Sequence, residues 1–312
     1  MALAQRIVSF LPSATEMVCA LGLEEQLAGI THECDYPLSV RRKPVVVSSA
    51  VPVESMTESE IDKAVSERIQ AGLSVYQVDE SLLRDLAPDL ILVQDLCDVC
   101  APSGNEVSRA LKVLAVQPEI VHLSPKSLAG IFQNLRDVGQ AAGCPEKAES
   151  WVNEASGKLA KIAAITQGIA SRPRVFCMEW LDPLYCSGHW VPEMVRIAGG
   201  IDELSRENTD SIRISWKDLQ AWSPEVLIVM PCGFHLTKVL ELASQLSALP
   251  GWQDLPAVRK GQVFAVDASS YFARPGPRVV QGVELLAHLI HPEIFSWAGP
   301  ENAYQKLDIV PV

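Results

Sequence analysis

The sequence lacks the features that define several large classes of protein. Its 312 residues contain no apolar run close to the roughly 20 residues that a membrane-spanning helix needs, so we expect no membrane insertion. A clustered basic surface is also missing, because the formal net charge is -12 and the longest basic run is the triplet 41–43. Phosphate binding needs such a surface, and we therefore expect no nucleic acid partner.

Short catalytic and nucleotide-binding motifs are absent as well. No segment reads G-x-G-x-x-G, G-x-x-x-x-G-K-[ST], G-x-S-x-G or H-E-x-x-H. Nucleotide-binding, serine-hydrolase and zinc-protease functions therefore have no direct support from motifs.

An export signal is not visible at the start of the sequence. Residues 1–12 pass into a strand-like segment without a basic start or a long apolar stretch. The eight cysteines do not resemble a secreted disulfide framework, since a chain of this length needs no such staples. These features predict a cytoplasmic protein with reduced cysteines. The alternative is a periplasmic protein of which the given chain is a trimmed form.

The sequence does contain a short phrase that occurs once in each half. The two copies are PDLILVQDLC at 88–97 and PEVLIVMPC at 224–232. In each copy a proline and an acidic residue precede an apolar run typical of a strand buried on both faces, and a polar turn with a cysteine follows. Ligands of open α/β sheets bind at the carboxyl ends of such strands. The duplication predicts two lobes with a cleft between them.

The predicted fold class is α/β, with two Rossmann-like lobes that contain parallel sheets and are joined by one long α-helix. Residues 126 to about 169 are helix-forming and are interrupted near Gly143, and Pro145 can start a new helix. The predicted domains are an N-terminal α/β lobe at 1–142, a bridging helix at 143–172 and a C-terminal α/β lobe at 173–312. The predicted strands are Arg6–Phe10, Leu27–Thr31, Leu90–Val93, Ile120–His122, Arg174–Met178, Val226–Met230 and Val263–Val266.

Aromatic residues are scarce, at 6% of the chain, yet several follow predicted strands. This enrichment is typical of a site for a large flat ligand, although about half of these side chains are expected to fill the core instead. A stiff turn at 274–278 adds two guanidinium groups, which either anchor anionic groups of a ligand or cap helix ends. The aromatic residues of this set are Trp180, Tyr185, Trp190, Phe234, Tyr271 and Phe272.

A metal site is the alternative use of the same loops. Cys97 and Cys100 have the spacing of a metal-binding pair, and His32 and Cys34 on a neighbouring loop could complete a tetrahedral site. A single C-x-x-C pair is a weak signal, because structural zinc sites usually show a second pair. Two unligated thiols at a helix start are the simpler explanation. The sequence around His189 is equally compatible with a histidine that lies in the cleft and with a structural histidine at a helix start.

Several segments resemble a known family. The segments 6–16 (RIVSFLPSATE), 88–93 and 254–266 are similar to the substrate-binding proteins of ABC importers for cobalamin and iron chelates, and the likeness covers nearly the whole chain. This resemblance implies two α/β lobes joined by a single long helix, with a ligand in a rigid cleft between them. The phrases THECDYP, QDLCDVCA, EWLDPLYCSGHWVPE, MPCGF and YFARPGPR resemble a branch labelled cobalamin-binding protein.

The leading hypothesis is therefore non-enzymatic binding of a small-molecule ligand, a corrinoid such as cobalamin or another metal chelate, in the cleft between the lobes. An ABC importer could be the protein partner. Aromatic loops would supply apolar contact, and His32 or His189 an axial contact to the metal. The candidate ligand-binding residues are Pro12, Ser13, His32, Glu33, Asp95, Trp180, His189, Trp190, Phe234, Tyr271, Phe272 and Arg274.

The alternative hypothesis is an intracellular metal-binding protein or metal-dependent enzyme. Its candidate ligands are Cys34, Cys97, Cys100 and Cys232, and thiolates favour zinc or an iron–sulfur cluster. A third possibility, a purely structural interaction protein, leaves the polar and aromatic loops unexplained.

Overall fold

The structure, a computed structural model, describes residues 4–53, 56–94, 111–112 and 114–307. The chain is mixed α/β, as the sequence predicts, and its strands form two separate sheets. One compact unit contains the residues up to Pro125 together with Ala129–Glu154, and the other contains Lys126–Leu128 and the residues from Ala155 onward. Each unit is described by itself below.

The first unit is built on a six-stranded sheet with the order β4-β3-β2-β1-β5-β6. All neighbouring strands are parallel except β3 and β4, which are antiparallel. The strands are β1 (Ile7–Ser9), β2 (Leu27–Thr31), β3 (Val45–Ser49), β4 (Tyr76–Val78), β5 (Leu90–Val93) and β6 (Glu119–His122). All four residues of β5 are buried, as expected for an apolar strand covered on both faces.

The helices of this part of the chain begin where the sequence provides start signals. The second helix has a capping box, in which Thr57 and Glu60 satisfy each other's backbone N–H groups. The third begins after Asp79, whose carboxylate accepts a hydrogen bond from the N–H of Leu82 at 2.9 Å. The helices are α1 (Pro12–Ala20), α2 (Glu58–Gln70), α3 (Glu80–Leu86), α4 (Leu128–Ala141) and α5 (Pro145–Gln167).

Helix α5 belongs to both units, because its residues up to Glu154 lie in the first unit and those from Ala155 lie in the second. It begins with Pro145 at its first position, where the missing N–H costs nothing. Among the described helices, none is long and apolar enough to cross a membrane.

The second unit is built on a five-stranded sheet with the order β11-β10-β9-β7-β8. The three central strands are parallel, and the two edge strands are antiparallel to their neighbours. The strands are β7 (Val175–Trp180), β8 (Tyr185–Cys186), β9 (Val226–Val229), β10 (Val263–Val266) and β11 (Tyr304–Lys306). The helices are α6 (Val191–Ile197), α7 (Trp216–Trp222), α8 (Leu236–Ala243), α9 (Pro256–Arg259), α10 (Ala268–Tyr271) and α11 (Val279–Ile290).

The repeated phrase of the sequence forms the same structure in both units. In the first unit, Asp89 accepts a hydrogen bond from the N–H of Arg6 at 3.0 Å, and Nε of Arg6 donates to the carbonyl of Ala87 at 2.6 Å. In the second unit, Glu225 accepts from the N–H of Arg174 at 3.3 Å, and Nε of Arg174 donates to the carbonyl of Ser223 at 2.9 Å. Ala87 and Ser223 both end a helix with a positive φ, of 44° and 53°. The acidic residue after the proline therefore holds β1 against β5 in the first unit and β7 against β9 in the second unit.

Candidate ligand-binding site

An aromatic pair lies at the carboxyl ends of the central strands of the second unit. The ring of Trp180, the last residue of β7, stacks on Phe234, in the loop after β9, with 5.7 Å between ring centroids and an angle of 22° between planes. Both side chains are half-buried. Nε1 of Trp180 is buried and has no hydrogen-bond partner among the described residues. The pair offers a flat apolar surface of the kind that a large planar ligand needs.

Trp190, Tyr271 and Phe272 belong to the interior of the second unit, which corrects the expectation that they face a cleft. Trp190 is 5% exposed, and its indole N–H donates to the carbonyl of Phe272 at 2.9 Å. Phe272 is 0% and Tyr271 6% exposed. The physical reason is that these residues flank α6 and α10, and both of these helices pack against α11. Their side chains fill the core, as was expected for about half of the six aromatic residues.

Glu179 fixes two loops beside the aromatic pair. Its carboxylate accepts hydrogen bonds from the hydroxyl of Ser211, at 2.7 Å, and from the backbone N–H of Gly188. Burial raises the pKa of Glu179 to about 7, against the lowering effect of these two hydrogen bonds. A Cβ atom on Gly188 would lie 2.5 Å from the backbone N of Ser211, so only glycine fits at this approach.

His189 is part of this frame. Its φ is 54°, its backbone N–H donates to the carbonyl of Thr209 at 2.6 Å, and its Nε2 lies 3.2 Å from the carboxylate of Asp210. Asp210 also pairs with Lys126 at 3.2 Å. Burial lowers the pKa of His189 below its usual value, although Asp210 acts in the opposite direction. Of the two roles that the sequence left open, these contacts favour the structural one.

The candidates of the first unit follow two neighbouring strands. Pro12 begins helix α1 directly after β1, and Ser13 beside it is 2% exposed. His32 follows β2 with a side chain that is 32% exposed, and its Nδ1 lies 3.3 Å from the carbonyl of Val47. Glu33 is 46% exposed and lies 3.9 Å from Nε2 of His32. Pro12, Ser13, His32 and Glu33 therefore share one edge of this sheet.

The other predicted site residues lie in separate loops or fall outside the residues that the structure describes. Arg274 is half-buried, and its carbonyl accepts the N–H of Gly276 at 2.8 Å in the predicted turn. Cys232 is exposed in the loop after β9. Asp95, Cys97 and Cys100 fall outside the described residues.

One pair at the same edge of the second unit was missed by the sequence analysis. Nδ1 of His235 lies 3.0 Å from both carboxylate oxygens of Asp267. The side chain of His235 is 49% exposed, whereas that of Asp267 is 14% exposed. The signal in the sequence was a histidine directly before a helix, in the loop MPCGFH after a central strand.

Aromatic rings and hydrogen-bonded loops at the carboxyl ends of parallel strands are typical of ligand-binding proteins of the α/β class. The chain belongs to a particular family of that class, because residues 7–269 match the profile described as "Periplasmic binding protein". Proteins of this family carry ligands and are not enzymes, so the prediction of a non-enzymatic binding protein is confirmed. The predicted resemblance to substrate-binding proteins is confirmed by the same match.

Individual relatives agree with the family. The uncharacterized ABC transporter substrate-binding lipoprotein YvrC of Bacillus subtilis strain 168 is 25% identical over 296 residues, which cover 93% of this chain and 81% of that protein. The vitamin B12-binding protein of Vibrio cholerae is 23% identical over 288 residues, which cover 90% of this chain and 87% of that protein.

Solved structures show the same fold at low sequence identity. The periplasmic vitamin B12 binding protein BtuF of Vibrio cholerae has a TM-score of 0.66 at 21% identity and covers 93% of this chain and 97% of that chain. A periplasmic heme binding protein from Pseudomonas aeruginosa has a TM-score of 0.70 at 20% identity and covers 96% of this chain and 97% of that chain.

The prediction of a cytoplasmic protein is wrong, because the family is one of periplasmic binding proteins. The cysteine content does not indicate the compartment. Burial raises the pKa of Cys19 to about 12 and that of Cys177 well above its usual value, since thiolate is disfavoured in an apolar core. Thiols of this kind react slowly, so their being unpaired does not identify a compartment.

The prediction of a metal-binding protein is also wrong, since the relatives are substrate-binding proteins. The described part of the chain contains no group of three or more histidine, cysteine, aspartate or glutamate residues placed to hold a metal ion. Cys34 is buried at 4% exposure, and its Sγ lies 3.0 Å from the hydroxyl of Thr15 inside the first unit.

Proposed function

We propose that this protein binds a metal-centred tetrapyrrole-type macrocycle, either a corrinoid such as cobalamin or a heme-like iron chelate, and delivers it to an ABC importer. The observation that carries the proposal is the stack of Trp180 on Phe234, half-buried, at the carboxyl ends of β7 and β9. A flat macrocycle gains apolar contact from such a surface. The names of the relatives support both ligand classes, since one relative is named for vitamin B12 and a structural neighbour for heme.

Isothermal titration calorimetry with cyanocobalamin, cobinamide and hemin tests the ligand. We expect one of the two classes to bind, and Trp180→Ala together with Phe234→Ala to raise its Kd at least about tenfold, which corresponds to about 1.4 kcal/mol of lost contact. Binding of none of these compounds would refute the proposal.

Trp222→Ala is the matched control. Trp222 is also half-buried, but its indole N–H donates to the carbonyl of Val175, the first residue of β7, so it lies at the opposite ends of the strands. We expect this variant to lose stability while its Kd stays within about twofold of the parent. An equal loss of affinity in the control and the double variant would show that the stacked pair has no direct part in binding.

The role in import is tested separately. Deletion of the gene from its host should reduce uptake of the labelled compound that binds in calorimetry, and the parent gene should restore it. Unchanged uptake in the deletion strain would remove the delivery function and leave the binding function in place.

A further inference from the structure

We propose that Glu179 is a positioning residue of the ligand site, whose ionised carboxyl group holds two neighbouring loops against strand β7 and so makes ligand affinity depend on pH. This inference rests on the proposed function and adds to it the condition under which the ligand is held. The residues around Glu179 that carry the inference lie in the second unit. The ligand should be bound more tightly at about pH 8 than at about pH 5.5.

The backbone of Glu179 is connected to both rings of the aromatic pair. Glu179 directly precedes Trp180 at the end of β7. Its backbone carbonyl accepts a hydrogen bond from the N–H of Cys232 at 3.0 Å, in the loop after β9 that also carries Phe234. Glu179 therefore joins the two backbone segments that carry the stacked rings.

The side chain of Glu179 holds two further segments of the chain. The hydroxyl of Ser211 donates to its Oε1 at 2.7 Å, and the backbone N–H of Gly188 donates to the same carboxyl group. The loops 187–189 and 208–211 are also joined to each other by two backbone hydrogen bonds, of 2.6 and 2.9 Å. The carboxyl group of Glu179 therefore attaches this pair of loops to β7.

Protonation of Glu179 weakens this attachment. The carboxylate accepts both hydrogen bonds, and hydrogen bonds to an ionised acceptor are roughly twice as strong as those between neutral groups. In the acid form one oxygen carries the proton, so the hydroxyl of Ser211 must either reverse and accept or lose its bond. We expect the two loops to keep their position in the acid form but to open more often.

The change of protonation occurs close to neutral pH. Burial raises the pKa of Glu179 to about 7, against the lowering effect of the two hydrogen bonds. The carboxylate therefore predominates above about pH 7 and the acid form below it. Because the carboxylate holds the loops more firmly, ligand affinity should increase as the pH rises through this value.

The titratable groups that face Glu179 from the sheet and from the segment after α6 behave differently. Burial raises the pKa values of Cys177 in β7 and Cys186 in β8, so both remain uncharged thiols at neutral pH. Burial also raises the pKa of Asp202, to about 6, which is lower than that of Glu179. None of these groups therefore changes its charge at the same pH as Glu179.

The charged groups of the two loops also titrate at other pH values. A hydrogen bond from Lys126 lowers the pKa of Asp210, so this carboxylate stays ionised near neutral pH. Burial lowers the pKa of His189 below its usual value of 6.5, and thus below that of Glu179. The guanidinium of Arg213, which donates to the hydroxyl of Tyr185 at 2.8 Å, keeps its charge throughout. A midpoint near pH 7 therefore distinguishes Glu179 from these groups.

Hydrogen–deuterium exchange of the ligand-free protein tests the attachment of the loops. The rates are first corrected for the intrinsic pH dependence of amide exchange. Peptides that cover the loops 187–189 and 208–211 should then be roughly 5-fold to 10-fold less protected at about pH 5.5 than at about pH 8. Peptides from the buried strand β9 should show no such change and serve as the internal reference.

Glu179→Gln is the test variant, and Asp202→Asn is the matched control. Glutamine is neutral at every pH and imitates the acid form, so the two loops of this variant should be weakly protected throughout. Asp202→Asn also removes a carboxyl group whose pKa is raised by burial. The control should nevertheless keep a change in protection that is centred on about pH 7, because Glu179 is unaltered.

Isothermal titration calorimetry with cyanocobalamin and with hemin tests the effect on the ligand. At about pH 8, Glu179→Gln should bind roughly 5-fold to 10-fold more weakly than the parent, and at about pH 5.5 with equal affinity. Comparison of parent and variant with the same compound cancels any titration of the compound itself. Asp202→Asn should keep the pH dependence of the parent.

The free energy of unfolding distinguishes this role from a merely structural one. Removal of a structural side chain lowers stability and affinity together. Glu179→Gln removes the cost of a buried charge, so its stability in urea at about pH 8 should rise while its affinity falls.

Four outcomes contradict the inference. Loop protection in the parent that does not change with pH would refute the attachment and leave the proposed function standing. Equal affinities of parent and Glu179→Gln at both pH values would show that the loops have no part in binding. Affinity that rises on acidification would show that the bound ligand favours the acid form. Binding of neither compound would overturn the proposed function and the effect on affinity, whereas the exchange data would still decide the attachment of the loops.

Discussion

Individual aromatic side chains divide into two groups that the sequence could not separate. All six follow strands that were predicted from the sequence, but Trp190, Tyr271 and Phe272 are buried, whereas Trp180, Tyr185 and Phe234 are half-buried. The distinction depends on which helices cover each loop, and that is a property of tertiary packing. Residue type and position in the sequence were the same for both groups.

The first prediction concerns Trp190. Replacement by alanine should lower the free energy of unfolding by about 3–5 kcal/mol, because it removes a buried aromatic ring and leaves the carbonyl of Phe272 without the indole donor. Urea unfolding followed by circular dichroism measures this loss. Phe234→Ala serves as the comparison, since its half-buried ring should cost clearly less. Similar unfolding midpoints for Trp190→Ala and the parent would place Trp190 outside the core.

At the scale of helices and strands, the sequence predicted the elements with a strong apolar pattern. The strands Leu27–Thr31, Leu90–Val93 and Val263–Val266 have the predicted bounds. Most missed elements have weak patterns: β4, β8 and β11 are short edge strands with no fully apolar run, and α7 buries only Leu219. Strand β3 was missed as well, although it begins with three valines. An edge strand needs only one neighbour, so nothing requires its sequence to be apolar.

The second prediction follows from the end of helix α3. Ala87 closes this helix with a φ of 44°, a left-handed conformation that costs a residue with a Cβ atom about 1–2 kcal/mol. Glycine removes this cost but adds about 0.4–1 kcal/mol of chain entropy in the unfolded state. Ala87→Gly should therefore raise the free energy of unfolding by roughly 0.5–1 kcal/mol, measured in urea.

The matched control for this prediction is Ala71→Gly. Ala71 is also an exposed residue at a helix end, but its φ is -79°, so glycine relieves no strain there. We expect this variant to be less stable than the parent by roughly 0.5–1 kcal/mol. If both variants changed stability in the same direction, the left-handed strain at Ala87 would not be the cause.

At the scale of the whole molecule, the sequence predicted the fold class from the duplicated phrase, and the resemblance predicted the family. The sequence-based prediction of the cellular compartment was wrong, because cysteine content depends on packing as well as on the redox environment. The site was only partly predictable, since the pairing of His235 with Asp267 joins residues from loops after two different strands. No local pattern in the sequence specifies that contact.

The last prediction concerns the stability of the protein as a function of pH. Burial raises the pKa of Glu179 from 4.5 to about 7 and that of Asp202 from 3.8 to about 6. In both cases the folded state holds the proton at a pH where the unfolded chain has lost it. Through these two groups the folded state binds more protons than the unfolded state between about pH 4 and pH 7, so their contribution to stability falls as the pH rises through this range.

Neutral side chains of the same shape should remove this dependence. One pKa unit corresponds to about 1.4 kcal/mol, so Glu179→Gln combined with Asp202→Asn should raise the free energy of unfolding at about pH 8 by up to about 6 kcal/mol. The side-chain oxygen of glutamine can still accept a hydrogen bond from the hydroxyl of Ser211, so the loop should stay in place.

Glu203→Gln is the control for this prediction. Glu203 is an exposed neighbour of Asp202, and its replacement should leave the pH profile unchanged. Urea unfolding at pH values from about 4 to 8 measures the effect, and a double variant whose stability falls as steeply as that of the parent would show that these carboxyl groups are ionised at no cost in the folded protein.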